Sequence, residues 1–207
     1  MLEKLPDVIG HALRDVRAGL ENTVFNQSGL RTGLAAITVT SLAFADHAPI
    51  PVRYTADGPG VSPPLQWQGV PAGTASVVLI VEDADAPTPR PLVQAIVVDL
   101  PADAAGALAE GALSSPDHES EAVHEGRNSF LSAGWLPPDP PPAHGKHRYV
   151  FQVFALGAAP DGDTFGSTPG RDEVLAAIRQ RALASGCLVG TYERHDTTIR
   201  HSDAVLA

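Results

Sequence analysis

The chain has 207 residues, of which 43% are hydrophobic, and a formal net charge of −10. This length and composition predict a globular protein with one substantial core, not a disordered chain. The 19 Gly and 19 Pro residues disfavour a helical bundle, because both residue types interrupt helices. Since no block of Lys or Arg offsets the acidic charge, nucleic acid and anionic membranes are poor partners for the surface as a whole.

Cys187 is the single cysteine, so we expect no internal disulfide and no cysteine-ligated metal centre. Charged residues interrupt the apolar residues at the N-terminus, which is not the pattern of a signal peptide. No apolar run is long enough to span a bilayer. These features predict a cytoplasmic protein with no membrane insertion and no cofactor.

The first predicted element is a helix over residues 2–20, whose apolar residues recur at steps of three and four. Its apolar stripe packs on its own domain or, alternatively, forms a partner or homodimer surface. Residues 21–34 are rich in Asn, Gly and Ser and are predicted to be a linker. We therefore divide the chain into an N-terminal helical extension with a linker, residues 1–34, and a main domain, residues 35–207.

The main domain shows strand patterns from Ala35 onwards. Residues 77–81 and 93–100 are continuous apolar runs of strand length, typical of strands buried on both faces. Further strands are predicted over 148–156 and 187–192, a long surface excursion over 103–134, and a helix over 172–184. Since six to eight strands are not interleaved with helices, this order favours an antiparallel β-sandwich with peripheral helices.

Two short segments carry the residues with chemical potential. Asp83 and Asp85 follow a buried strand directly, and on an extended chain two carboxylates two positions apart point the same way. His147 and Tyr149 share one face of the strand that follows the proline-rich segment 137–142, while Arg148 points to the other face. A histidine and a tyrosine can donate to a phosphate or carboxylate oxygen. We expect the two segments to be walls of one small anion pocket, with the stiff proline run as its rim.

The motifs along the chain resemble those of the phosphatidylethanolamine-binding protein (PEBP) family, in the branch often called Raf kinase inhibitor-like. The resemblance covers roughly residues 37–194 and consists of four blocks in the family's order. They are the run 54–58 with 62–67, the D-x-D-A-P motif at 83–87, the proline block with G-x-H-R-Y at 145–149, and the closing strand at 187–192. The resemblance implies a mainly β, Greek-key antiparallel sandwich with peripheral helices, including an N-terminal helix and a helix near the C-terminus.

The resemblance also implies a small pocket that binds phosphate headgroups or small anions. Its ligand-binding residues here would be Asp83, Asp85, Pro87, Gln94, Gly134, Trp135, Pro138, His147 and Tyr149. Two of these depart from the family pattern. Gln94 stands where a histidine is usual, so the pocket loses a group that could be protonated near neutral pH. Trp135 stands where a tyrosine is usual, which exchanges a hydroxyl for an indole donor.

Competing functions remain open from the residues alone. The segment 118–125 contains two histidines and three glutamates but lacks the spacing of a helical zinc motif, so no metal site is predicted. A small ester or phosphoester hydrolase that uses Asp85 and His147 is the alternative to a binding protein, although no nucleophile has a recognisable setting. We expect a binding protein, not an enzyme, that modulates a partner such as a kinase or protease.

Overall fold

A computed structural model describes residues 7–30, 35–115, 120, 123–160 and 165–194. In this part of the chain nine strands and three α-helices are assigned. The strands are β1 (Ala35–Ala36), β2 (Thr38–Thr40), β3 (Leu65–Gln68), β4 (Ser76–Asp83), β5 (Leu92–Leu100), β6 (Ala105–Leu108), β7 (His124–Glu125), β8 (His147–Leu156) and β9 (Ala182–Tyr192). The helices are α1 (Asp7–Ala12), α2 (Val24–Gln27) and α3 (Arg171–Arg181).

The strands form a larger and a smaller sheet. The larger has six strands in the order β1-β9-β8-β4-β5-β7, and the smaller has three in the order β2-β3-β6. Every neighbouring pair is antiparallel except β1 and β9, which run parallel. The predicted mainly β, antiparallel architecture with peripheral helices is therefore confirmed.

Both faces of the larger sheet are covered, which explains the continuous apolar runs in the sequence. On β4, Val77, Leu79 and Val81 face the core that lies between the two sheets. The intervening residues Val78 and Ile80 belong to a second core, which the sheet shares with α2 and α3. An alternating pattern would leave one of these faces polar, so the two-sided burial predicted for this strand is confirmed.

The N-terminal region differs from the predicted helix over 2–20. Helix α1 ends at Ala12, and residues 13–19 continue without a regular element, so the prediction is wrong beyond that point; residues 2–6 lie outside the described chain. The predicted linker contains α2 and a short 3₁₀ turn at Leu20–Asn22. Val24 of α2 is fully buried in the second core, which a periodicity over so few residues cannot reveal.

Other regions fit the sequence predictions in part. Helix α3 covers most of the predicted helix 172–184, but the chain passes into β9 at Ala182. The excursion over 103–134 contains β6 and β7, so it is not purely a surface loop. Residues 31–34 and half of the histidine-glutamate segment, at 118–119 and 121–122, lie outside the described chain. None of the described helices is long and apolar enough to cross a membrane.

A buried carboxylate on β4 joins the larger sheet to two helices. Glu82 is fully buried and accepts hydrogen bonds from the backbone N–H of Val24 at 2.7 Å, Gln152 Nε2 at 2.9 Å and Arg171 Nε at 2.7 Å. Arg171 begins α3 and is itself only 14% exposed. Because the carboxylate is both paired and hydrogen-bonded, its burial is compensated only while these partners stay in place.

We predict that Glu82→Gln destabilises the fold by roughly 3 kcal/mol, because it leaves the Arg171 charge without its partner in a nearly dry site. Asp172→Asn is the matched control, since this neighbouring carboxylate is 80% exposed. Urea unfolding followed by circular dichroism compares the two variants with the wild type. Equal midpoints for both variants would contradict the structural role assigned to Glu82.

Candidate functional site

A narrow pocket opens at the end of the core between the sheets, where β4 ends and β8 begins. Its walls come from the turn after β4, from β5, from the loop around Phe130 and from the proline-rich segment. The lining residues are Asp83, Ala86, Pro87, Leu92, Gln94, Phe130, Leu136, Pro137, Asp139, Pro140, Pro141 and His147. The pocket measures about 20 Å³, which is room for little more than one water molecule.

An acid–imidazole pair lies in the wall of this pocket. His147 Nδ1 is 2.8 Å from Asp83 Oδ2 and 3.1 Å from Asp83 Oδ1. The side chains are 1% and 5% exposed, respectively. In such a dry setting the interaction is much stronger than at the surface, and each group depends on the other for compensation.

A second histidine, which the sequence analysis did not single out, extends the pair. His144 Nδ1 is 2.7 Å from His147 Nε2, and His144 Nε2 is 2.8 Å from the carbonyl oxygen of Leu13. Gly145, with φ +95°, lets the chain fold back between the two histidines, and their rings lie 4.8 Å apart. In the sequence, this contact is marked only by the three-residue spacing of His144 and His147. That spacing across a turn belongs to no helical or strand period, so it did not predict the contact.

The hydrogen-bond partners determine where the protons lie. A carbonyl oxygen only accepts, so His144 carries its proton on Nε2 and presents the lone pair of Nδ1 to His147. Burial lowers the pKa of His144 below its usual 6.5, and the charge of His147 lowers it further; both effects favour the neutral ring. His147 therefore donates from Nε2 to His144, and one further proton lies between His147 Nδ1 and the Asp83 carboxylate.

Asp85 does not line the pocket. Its backbone N–H donates to Asp83 Oδ1 at 2.9 Å, in a tight turn that follows β4. Its carboxylate accepts from the backbone N–H, Nε and Nη2 of Arg148 at 2.7–2.8 Å, and Arg17 Nη1 lies 3.1 Å away. The expectation that Asp83 and Asp85 point the same way is wrong, because it assumed an extended chain where the structure has a turn.

Tyr149 shares a face with His147, as the strand alternation predicted. The two rings stack with centroids 6.4 Å apart. The hydroxyl is buried without a hydrogen-bond partner in the described chain, and burial raises the pKa of Tyr149 well above its usual value, with a further contribution from the charge of Asp83. Tyr149 thus lies behind His147 and is not among the lining residues.

Gln94, the departure from the family pattern, does line the pocket. Its side chain projects from β5, and the residue as a whole is 3% exposed. The side-chain oxygen is buried without a hydrogen-bond partner in the described chain. A buried acceptor without a partner costs free energy, so this oxygen gains from a ligand group that donates a hydrogen bond, such as an ammonium or hydroxyl.

Three other residues that the resemblance implied lie behind the wall. Trp135 points into the core, stacks on Phe151 and donates from Nε1 to the carbonyl of Tyr54 at 3.3 Å. The carbonyl of Pro138 accepts the N–H of Ala56 at 3.0 Å. The carbonyl of Gly134 accepts from Asn128 Nδ2 at 3.4 Å. In this structure these residues position the rim.

The rim contains a second ion cluster that the sequence analysis missed. Asp139, in the proline run, accepts from Arg194 Nη1 at 2.5 Å, and Arg194 Nε also donates to Asp57 at 2.7 Å. Arg194 is only 10% exposed. No short-range pattern links positions 57, 139 and 194, so only the fold brings them together.

We predict that Asp85→Asn destabilises the fold at about pH 7 by an amount at the lower end of roughly 3–5 kcal/mol, because Arg148 and Arg17 lose a buried partner. Burial raises the pKa of Asp85, but the hydrogen bonds and charge of Arg148 outweigh it and hold the pKa below the usual 3.8. A carboxyl whose pKa is lower in the folded than in the unfolded protein stabilises the fold fully when the pH is above its unfolded pKa. This contribution is lost as the pH falls through the folded pKa.

The stability difference between wild type and Asp85→Asn should therefore shrink below pH 3.8. Urea unfolding at about pH 7 and about pH 2.5 measures it. Asp46→Asn is the control, since Asp46 also has a lowered pKa but its side chain is 58% exposed. A difference that stays constant over this pH range would count against the assigned pairing.

Comparison with known proteins agrees with the fold and the motifs. The sequence profile of the phosphatidylethanolamine-binding protein family matches residues 40–193. A UPF0098 protein of Aquifex aeolicus is 35% identical over 177 residues, which cover 84% of this chain and 99% of the relative. A UPF0098 protein of Chlamydia trachomatis is 39% identical over 163 residues, which cover 75% of this chain and 98% of the relative.

Two solved structures share the architecture. A chlamydial protein described as a homologue of phosphatidylethanolamine-binding proteins superposes with a TM-score of 0.64 at 33% identity, covering 77% of this chain and 98% of its own. YbcL of E. coli, described as a member of the mammalian PEBP family, superposes with a TM-score of 0.67 at 27% identity, covering 77% of this chain and 99% of its own. The chain belongs to the phosphatidylethanolamine-binding protein family.

Proposed function

We propose that the protein binds a small ligand through a phosphate or carboxylate group in the pocket between β4, β5 and the proline rim. The observation that carries the proposal is the buried His147–Asp83 pair in the pocket wall, at 2.8 Å. An imidazole held by a carboxylate is a strong hydrogen-bond donor to an anion when it is protonated. The names of the related proteins, which describe phosphatidylethanolamine-binding proteins, support the same class of ligand.

The pocket as it stands is smaller than a headgroup, so the proposed binding requires part of the wall to move. Its volume of about 20 Å³ is far below the roughly 300–1,000 Å³ of ordinary small-molecule sites. Eight of the lining residues are apolar or proline, which excludes water and strengthens each polar contact inside. Phe130, which is 48% exposed, is the most exposed of the large apolar lining residues, so we expect its side chain to move when a headgroup enters.

The same residues favour binding over hydrolysis. Among the described residues that line the pocket there is no serine, threonine, cysteine or lysine, so no hydroxyl, thiol or amine nucleophile is in place. The lining carboxylates Asp83 and Asp139 are engaged with His147 and Arg194. Asp85, which the hydrolase alternative used as an acid or base, faces Arg148 and not the pocket. A kinase or protease partner, a homodimer and the division at residue 34 stay predictions.

We predict that His147→Gln weakens phosphoethanolamine binding at least roughly tenfold, because it removes a charge-assisted hydrogen bond. Calorimetric titration of the full chain with phosphoethanolamine and with inorganic phosphate measures the affinity. His47→Gln is the matched control, since that histidine is 69% exposed and distant in sequence from the pocket segments. Gln94→Glu provides a second test that keeps His147, because a carboxylate in the pocket should repel the anion.

Equal affinities for the wild type and both pocket variants would overturn the proposal. A turnover assay with aryl esters and aryl phosphates tests the alternative that the protein is a small hydrolase. Turnover that disappears in His147→Gln and persists in His47→Gln would replace the binding function by a hydrolase.

The departure at Gln94 yields a prediction of its own. Gln94→His adds an ionisable donor to the pocket wall, so phosphate affinity should rise as pH falls below about 6.5, by roughly tenfold relative to the wild type. Titrations over a pH series that includes both proteins measure the effect. Parallel pH profiles for the two proteins would show that residue 94 does not face the bound anion.

A further inference from the structure

The N-terminal strap, which we define as residues 13–19, lies before the stretch that matches the family, residues 40–193. It contacts two segments beside the pocket, the turn after β4 and the loop before β8. The N–H groups of Ala18 and Gly19 donate to the carbonyls of Ala86 and Ala84 at 2.9 and 2.8 Å. The strap therefore lies along the turn that follows Asp83.

The strap also holds the loop before β8. Arg17 donates from Nη2 to the carbonyl of His144 at 3.1 Å and from Nη1 to the carbonyl of Lys146 at 2.9 Å. The carbonyl of Leu13 accepts from His144 Nε2 at 2.8 Å. His144 is thus fixed at both its backbone and its ring by the strap.

Because His144 is held in place, its ring determines whether His147 has an N–H group available for a ligand. Its Nδ1 faces Asp83 at 2.8 Å, and its Nε2 donates to His144 at 2.7 Å. An imidazole has only two N–H positions, so His147 has no donor available for a ligand while His144 stays in place. A ligand that accepts from His147 has to take the position of His144 Nδ1 as the acceptor.

We infer that the N-terminal strap is an internal latch, in which His144 competes with the ligand for the Nε2–H of His147. The inference rests on the proposed function, because it concerns the donor that the ligand would use. His144 is a positioning residue in this scheme. It sets the affinity of the pocket without contacting the ligand in the bound state.

The strap has the properties of a segment that opens locally. Apart from Ala18, its residues are not buried, and Val16 is 47% exposed. Within the described chain it pairs with no strand, and it is held by single hydrogen bonds, the partly exposed ion pair between Arg17 and Asp85, and the buried side chain of Ala18. Local opening is least costly where few apolar contacts are lost. A purely structural clamp would have the opposite effect on binding, since its removal would loosen the pocket and weaken the affinity.

The test compares Arg17→Gln with Arg14→Gln in the full chain. Both variants remove one positive charge from the same segment, but Arg14 is exposed and lies outside the hydrogen bonds to the loop before β8. Calorimetric titration with inorganic phosphate and with phosphoethanolamine should show roughly two- to tenfold tighter binding for Arg17→Gln, the fold-change expected from loss of one competing hydrogen bond. His144→Leu, which removes the competing acceptor, should act in the same direction. Unchanged or weaker binding in both variants would overturn the latch.

A second measurement separates failure of the latch from failure of the proposed function. Nitrogen-15 NMR of the imidazoles reports the His147 Nε2–H without any ligand, and its exchange with water should be faster in Arg17→Gln than in Arg14→Gln. Equal exchange in the two variants would overturn the latch even if phosphate binds. Faster exchange in Arg17→Gln, with no binding of phosphate or phosphoethanolamine to any of these proteins, would support the latch and overturn the proposed ligand class.

Discussion

Two consecutive carboxylates at the end of β4 determine how the rest of the molecule is arranged around the pocket. Because side chains alternate along a strand, Glu82 faces the helices and Asp83 faces the end of the core between the sheets. Each is buried, and each is balanced by one basic side chain, Arg171 on one face and His147 on the other. A carboxylate without such a partner would be costly to bury in either site. The fold therefore has to bring α3 to one face and the start of β8 to the other.

Long, continuous patterns in the sequence were sufficient to predict the framework. The apolar runs of β4 and β5 predicted two-sided burial, since only a strand covered on both faces tolerates such a run. The boundary residues of α3 predicted its start to within one residue, because the acidic first turn and the preceding glycine are local signals. The apolar stripe of residues 2–20 was misleading. Apolar residues continue at helical spacing beyond Ala12, but the helix ends there. The following residues are held by hydrogen bonds to loops that are distant in sequence, which the spacing does not reveal.

The candidate site was predictable only where its geometry is local. Alternation on β8 placed His147 and Tyr149 on one face correctly. The orientation of Asp85 depends on a single backbone hydrogen bond to Asp83, which turns the chain and cannot be deduced from residue spacing. His144 and Arg194 acquire their roles from partners more than fifty positions away, Leu13 and Asp139 respectively. Such pairings follow from the topology and leave no periodic signal in the chain.

The number of protons shared by Asp83 and His147 bears on how the pocket could recognise an anion. The Asp83–His147 pair holds the same number of protons whichever atom carries the shared one, so its net charge is zero in either arrangement. Asp139 in the rim is likewise paired, with Arg194. The proposed recognition of an anion would therefore not rest on an excess of positive charge in the pocket wall. It would rest on the direction of N–H donors in a dry site, where a dipole of fixed orientation stabilises an anion without a net charge. Gln94 is consistent with this arrangement, since an amide contributes a dipole and leaves the charge of the wall unchanged.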